Sequence, residues 1–292
     1  MPGRLPVGNP TSAATLEQNV EPRFSALLLL KSGSDPIPIF IAPGGASNAQ
    51  AIFPLASKIQ SGHPIYAIRI WDFNGITTYK NTVEDMAQFC MNEIDKVQPQ
   101  GPYLLVGYSF GGLIMLELAN RLLKRGEQVA FCALLDTYPH QRYWPRTSWI
   151  KFVVQRSILH AGNLAKLPLR TAITYAAKRS RAFLEQYIRS AQNIDSTIWD
   201  TPEERLWKVA LIRYTPRFYE GEVTFFKAER TTRYPKNPSS IWGKLLARLD
   251  VHTVPGDHLS MFSDHAESLA KQLSACLQKV DERIQLSNPA QM

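Results

Sequence analysis

The chain has 292 residues, 45% hydrophobic and 20% charged, with 33 Lys and Arg against 25 Asp and Glu for a formal net charge of +8. Its apolar share excludes intrinsic disorder, and 16 Gly with 3 Cys exclude a collagen-like chain or a disulfide scaffold. No apolar run approaches the roughly 18 residues that span a bilayer. The first twenty residues carry one basic residue, Arg4, and no long apolar stretch, which argues against a secretory signal. Cys90, Cys132 and Cys276 are odd in number and widely spaced, as reduced thiols are, so a cytoplasmic location is expected.

Residues 1–22 are rich in Pro, Gly, Asn and Thr and read as a flexible leader, and residues 285–292 read as a tail. Between them, residues 23–284 read as a single domain. Strand-like runs at Ser25–Leu30 and Ile37–Ala42 are followed by the loop Pro43-Gly44-Gly45-Ala46, a helical stretch around Gln50–Ile59 and a strand at Pro64–Ile70. Val83, Met86, Ala87, Cys90, Ile94 and Val97 recur at three- and four-residue steps and predict an amphipathic helix. A strand at Tyr103–Tyr108, a helix at Ser109–Lys124 and a strand at Val129–Leu135 come next. This alternation predicts a mostly parallel sheet with helices on both faces.

From about residue 137 to 205 the rhythm changes to helix without strand, predicting a helical lid inserted between two strands. Leu169, Ile173, Ala176, Ala177, Leu184, Tyr187 and Ile188 share one helical face, and Trp149, Ile150, Val153 and Val154 form a shorter one. The α/β rhythm then resumes with a helix near Pro202–Tyr214, strands at Val223–Lys227 and Asp250–Val254, and a final helix at Asp264–Val280.

Gly107-Tyr108-Ser109-Phe110-Gly111 fits G-x-S-x-G and lies between a predicted strand and a predicted helix. That is the setting of a nucleophile elbow, in which small residues permit the tight turn and expose the Ser109 hydroxyl. A serine needs a base, and the base needs an acid to hold its tautomer. His258, in Gly256-Asp257-His258-Leu259 after the last predicted strand, sits where an α/β-hydrolase places its base. His63, His140, His160, His252 and His265 lack such a setting and read as packing or surface residues.

Asp136, directly after the strand Val129–Leu135, is the favoured acid, with Glu229 one strand later as runner-up. Asp257 reads as a loop acid that points away from its neighbour's ring. The backbone N–H of Phe110 and one from the glycine loop, Gly45 or alternatively Ala46, would form an oxyanion hole.

Gly107-Tyr108-Ser109-Phe110-Gly111-Gly112, Leu135-Asp136-Thr137-Tyr138-Pro139, Gly256-Asp257-His258-Leu259-Ser260-Met261 and Pro43-Gly44-Gly45 together resemble the thioesterase family of polyketide and nonribosomal peptide synthetases. The resemblance runs from about Leu28 to Val280. It implies an α/β-hydrolase fold, no metal and no cofactor, and a substrate carried on the phosphopantetheine arm of an acyl or peptidyl carrier protein. Ser109 would take up the acyl chain, and water or a group within that chain would release it as acid, ester or macrocycle. Tyr138, Met261 and Phe262 are the pocket residues expected to choose the chain. A carboxylesterase or lipase, or an acyltransferase, would use the same three residues on other substrates.

Ten basic residues and one acid lie between His140 and Gln192, a net +9, so the remainder of the chain, with 23 basic and 24 acidic residues, is nearly neutral. The excess charge therefore belongs to the lid, where Lys178, Arg179 and Arg181 are candidates for attracting an acidic carrier protein. The solvated face of amphipathic helices is an equally simple account. Docking on an anionic membrane through Trp144, Trp149 and Phe152 ranks third. Nucleic-acid binding is not expected, since no recognition motif accompanies the charge.

Overall fold

The computed structural model describes residues 25–45, 47–70, 82–183, 201–230 and 234–287. Seven strands form one sheet in the order β1-β3-β2-β4-β5-β6-β7. They are β1 (Leu27–Lys31), β2 (Ile39–Ala42), β3 (Ile65–Ile68), β4 (Tyr103–Tyr108), β5 (Val129–Leu135), β6 (Tyr219–Ala228) and β7 (Leu246–Val254). Only β1, paired with β3, runs antiparallel; the other pairings are parallel. The architecture is that of an α/β-hydrolase.

Alternation along the strands feeds two separate cores. Phe40, Leu105, Cys132 and Phe225 face one side, where α2 (Val83–Ile94) and α3 (Phe110–Lys124) pack. Ile39, Ile41, Leu104 and Val106 face the other, against Leu269, Leu273 and Leu277 of α8 (Ala266–Ser287). A short 3-10 turn at Ala49–Ile52 and α1 (Phe53–Ala56) complete that second layer. Burial on both faces explains why the inner strands read as unbroken apolar runs. Cys90 and Cys132 are fully buried, and desolvation pushes both thiols up to about 12, so neither is a thiolate near neutral pH.

Helix starts follow local chemistry. The Thr82 hydroxyl accepts from Asp85 N at 3.1 Å, and Glu84 and Asp85 sit in the positive first turn of α2. Thr201 does the same for α6 (Pro202–Arg213), with Pro202 in the first turn, where its missing N–H costs nothing. A short α7 (Ser239–Trp242) lies between β6 and β7.

Between β5 and α6 lies a helical insertion, α4 (Arg146–Leu164) and α5 (Leu169–Phe183). Its root is anchored. Trp144 Nε1 donates to Pro139 O at 3.0 Å, and Phe152 packs edge-on to Trp144 at 5.1 Å. Trp144 and Phe152 are both buried, so neither can serve as a membrane anchor. The shorter apolar face is split, Trp149 and Val153 packing against the core while Ile150 and Val154 are exposed, and on the longer one Leu169 (77%) and Ile173 (62%) are exposed. Periodicity reports that a helix has an apolar side, not that something covers it.

Two boundaries also differ from expectation. α2 stops at Ile94 and leaves Val97 exposed, because the chain turns toward β4 there. The last helix runs on to Ser287, past both the predicted Val280 and the start of the predicted tail. The leader, Leu184, Tyr187, Ile188 and Arg189 lie outside the described residues. Among the described residues no helix is long and apolar enough to cross a membrane.

Candidate active site

The ends of β4, β5 and β7 carry the three residues singled out from the sequence, and parallel register explains why they meet. Gly107 pairs with Leu134 and Tyr108 with Leu135, so Ser109 and Asp136 leave the sheet side by side. Ser109 N donates to Leu135 O at 2.9 Å, and Asp136 N donates to Phe226 O at 2.8 Å. Both residues hold a positive φ, 53° for Ser109 and 44° for Asp136, which L-residues seldom adopt. The elbow needs glycine where backbones touch: a Cβ on Gly107 would lie 2.4 Å from the Gly112 Cα.

His258 arrives from the loop after β7. Gly256, at φ 90°, opens that loop. The Asp257 carboxylate folds it by accepting from Leu259 N at 3.1 Å, Ser260 N at 3.0 Å and the Ser260 hydroxyl at 3.1 Å. Hydrogen bonds from Ser260 and then Leu259 favour the ionised carboxylate and hold it below the usual range. Asp257 therefore shapes the loop and does not touch the imidazole.

The imidazole bridges the other two residues. Asp136 Oδ2 lies 2.7 Å from His258 Nδ1, and His258 Nε2 lies 3.1 Å from Ser109 Oγ. An ionised carboxylate only accepts, so Nδ1 donates and Nε2 is left to accept from the serine hydroxyl. Asp136 is buried, and its other oxygen accepts from Ala228 N at 3.2 Å. Both ring nitrogens of His258 are thereby taken, which leaves Glu229 no part at the imidazole. A neutral histidine in this tautomer can draw the proton from an attacking hydroxyl while the carboxylate stabilises the imidazolium that forms.

Gly44, Gly45, Ser109 and Phe110 line a cavity of about 190 Å³ above the serine. The glycine loop presses closely on it: a Cβ on Gly44 would lie 3.1 Å from Ser109 Cβ. Phe110 is the first residue of α3, where backbone N–H groups have no acceptor within the helix. Ala46, the other oxyanion candidate, lies outside the described residues. Among the described residues no three His, Cys, Asp or Glu side chains cluster so as to hold a metal ion.

The remaining expected residues divide. Tyr138 lines the cavity. Burial, followed by the Asp136 carboxylate and Tyr234, pushes its phenol far above the ordinary range, so it stays protonated. Met261 is fully buried in the core beneath α8 and does not line the cavity, and Phe262 backs the Tyr108 ring at 4.1 Å. Both follow the base in sequence, but the turn that Asp257 closes points them inward. Lys178, Arg179 and Arg181 fall on α5, with side chains outside those described.

Three aromatic residues at the site escape sequence reasoning. Tyr108 stacks on His258 with centroids 5.1 Å apart and donates from its hydroxyl to His258 O at 2.6 Å. Tyr234 meets the His258 ring edge-on at 5.5 Å, and Trp207 of α6 packs on Phe110 at 5.9 Å. They come from distant segments, and only the x position of G-x-S-x-G marks one of them in advance.

The other histidines hold the body together. His63 is buried, with Nδ1 2.7 Å from Ile37 O and Nε2 2.8 Å from Asp281 Oδ1 of α8. His252 pairs with Asp250 at 2.8 Å, His140 accepts from Arg142 N, and His265 packs over Gly256. The side chain of His160 lies outside those described. A larger recess of about 430 Å³ lies at the opposite end of the sheet, between the start of β5 and the end of α8, away from the serine.

A model of the thioesterase domain matches residues 37–277 of this chain. The chain belongs to the thioesterase domain family. Relatives of this thioesterase are parts of synthetases. Malpibaldin synthetase of Mortierella alpina is 25% identical over 261 residues, which cover 86% of this chain and 4% of the synthetase. Enterobactin synthase component F of Escherichia coli strain K12 is 27% identical over 241 residues, 82% of this chain and 17% of that protein. The thioesterase spans less than a fifth of the length of these curated relatives. Among solved structures, the NocB thioesterase domain in covalent complex with a fluorophosphonate nocardicin G analog aligns at a TM-score of 0.55 and 21% identity, over 82% of this chain and 94% of that one. The fold is therefore shared well beyond the identity of the side chains.

Proposed function

We propose that this thioesterase releases an acyl or peptidyl chain from the phosphopantetheine arm of a carrier protein through an acyl-serine intermediate. The observation that carries the reading is the continuous contact from Asp136 through His258 to Ser109, at 2.7 Å and 3.1 Å. His258 Nε2 takes the Ser109 proton as Oγ bonds to the thioester carbonyl carbon. The oxyanion that forms turns toward the N–H groups of Phe110 and Gly45, an interaction worth about 3 kcal/mol per donor. The carbon–sulfur bond then breaks, and the departing thiolate receives the proton from His258. In the second half, a water or a hydroxyl or amine of the chain itself gives its proton to His258 and attacks the acyl-serine, restoring Oγ–H. The residues of the protein suffice for these steps without a metal or redox cofactor.

In this reading the lid, with its net +9, receives an acidic carrier protein. Lys178→Glu, Arg179→Glu and Arg181→Glu in one variant raise KM for a carrier-bound substrate and spare the free pantetheine thioester. Equal effects on both substrates would remove carrier docking from the reading.

Intact-protein mass spectrometry with a panel of acyl-carrier and acyl-pantetheine thioesters, run beside p-nitrophenyl esters of equal chain length, tests the core of it. A mass increase equal to the acyl group appears in the wild-type protein and is absent in Ser109→Ala. No adduct with any thioester would overturn the proposal, and adducts with oxoesters alone would make the protein a carboxylesterase.

A further inference from the structure

Tyr108, Phe110, Tyr138, Trp207 and Tyr234 make the lining of the cavity above Ser109 largely aromatic. On the His258 side Tyr234 stacks on Tyr138 with centroids 4.3 Å apart and planes at 16°. Tyr138 is itself fixed, edge-on to Phe225 at 5.4 Å, with its hydroxyl reaching Pro235 O at 3.5 Å. At the glycine loop, the Trp207 indole leans in so closely that a Cβ on Gly45 would lie 3.0 Å from its Cε2. Phe110 supports Trp207 from below, and the Lys208 ammonium lies 5.5 Å from its ring centroid. The large rings are thus each held by another ring, and Leu211 and Leu259 complete the apolar lining.

Two further properties limit what the slot accepts. Its volume of about 190 Å³ is small beside the roughly 300–1,000 Å³ of pockets that enclose drug-sized ligands, and it suits a group the size of one six-membered ring beside the reacting carbonyl. Among the described residues no Lys, Arg, Asp or Glu side chain lines it, so a charged acyl group entering it would lose hydration with no counter-charge in return. The aromatic rings of the lining favour a flat guest, since offset and edge-to-face ring contacts add to simple area burial.

The geometry points to a neutral, single-ring aryl acyl group as the chain this site takes from its thioester, with Trp207 as the residue that sets the limit. The inference rests on the thioesterase reading above and specifies its substrate. Long alkyl chains outrun the slot, and carboxylated chains fail to desolvate. Replacing Trp207 with alanine removes the wall against the glycine loop and opens the slot toward α6.

The test measures kcat/KM of the full chain for phenylacetyl, hexanoyl, dodecanoyl and succinyl pantetheine thioesters, with intact mass recorded for each. Phenylacetyl exceeds dodecanoyl and succinyl by about tenfold or more, a ratio within the reach of pocket shape and desolvation. Hexanoyl falls between them. Trp207→Ala brings dodecanoyl to near parity with phenylacetyl, and Trp207→Phe, which keeps a ring and guards against a folding artefact, retains most of the preference. A wild-type protein that turns over dodecanoyl or succinyl as well as phenylacetyl, or a Trp207→Ala variant with its preference intact, overturns the inference while leaving the thioesterase reading standing. If no member of the panel leaves an acyl mass on Ser109, it is the thioesterase reading itself that falls.

Discussion

At the tips of β4, β5 and β7 the chain is tied from several directions at once, whereas α4 meets the core along its first turns, through Trp149, Phe152 and Val153 beside Trp144. Ser109, Asp136 and His258 each carry a side-chain contact to another of the three, and the backbones of Ser109 and Asp136 are held by neighbouring strands. On α4, Ile158 is 68% exposed only six residues beyond the buried Phe152. The contrast separates two tasks. Chemistry demands sub-ångström placement and takes it from the sheet, while the insertion is free to vary in surface and charge without disturbing that placement.

Substitutions can break this contrast, and the largest effect belongs to the strand tips. Asp136→Asn keeps the size of the side chain but lets the imidazole settle in the wrong tautomer, and kcat falls by about 10⁴-fold. Thioester hydrolysis under saturating substrate measures it, and a loss below tenfold would remove Asp136 from the relay.

Next in size is a buried charge of the body. Glu117 of α3 is fully buried, bonded to Arg217, to Arg121 Nε at 3.0 Å and to the Tyr214 hydroxyl at 3.4 Å. Burial, with the Glu117 charge behind it, raises the Tyr214 phenol well above its ordinary range, so it remains a donor. Glu117→Ala leaves the buried Tyr214 hydroxyl without its acceptor, while the half-exposed Arg217 is free to hydrate, and lowers unfolding free energy by about 1–3 kcal/mol. Urea denaturation reads this loss. The exposed cations of the insertion make the opposite case: Lys151→Glu shifts stability by less than about 0.5 kcal/mol.

A smaller effect sharpens the picture at the base. Tyr108→Phe keeps the ring stacked on His258 but removes the 2.6 Å hydrogen bond to its carbonyl. A net loss of about 1 kcal/mol in positioning gives a roughly fivefold fall in kcat. KM for a small thioester stays unchanged, a split that a general loss of folding would not produce. Smallest of all, Ile158→Ser leaves the urea midpoint and kcat within error of wild type. A destabilisation above 1 kcal/mol would show that something covers that face.

Much of the site is legible in the sequence because its residues follow strands. A buried strand of six or seven apolar residues ends abruptly, so the residue after it, Ser109 or Asp136, lands at the sheet edge wherever the helices go. Choosing Asp136 over Glu229 needed only that the acid's strand neighbour the nucleophile's, as β5 does. What lay hidden depends on side chains converging across long separations. Tyr108 and His258 are 150 residues apart, and no local pattern marks Tyr234 or Trp207 as their neighbours. Met261 misled for a related reason: nearness to His258 along the chain does not determine direction, and the turn closed by Asp257 sends it into the core. Periodicity likewise does not separate the packed Trp149 and Val153 from the exposed Ile150 beside them, because an apolar stripe looks the same whether it is covered or open.

The positive φ angles of Ser109 and Asp136 carry a consequence for how this protein changes under selection. A non-glycine residue held there costs about 1–3 kcal/mol, so glycine is the more comfortable occupant of both positions. Ser109→Gly would yield an inert protein that melts at a higher temperature than the active one. Any screen that rewards expression or heat resistance alone would drift toward that inert form. Selection for thermal tolerance in this fold therefore has to be coupled at every round to turnover, because here the two pull the same residue in opposite directions.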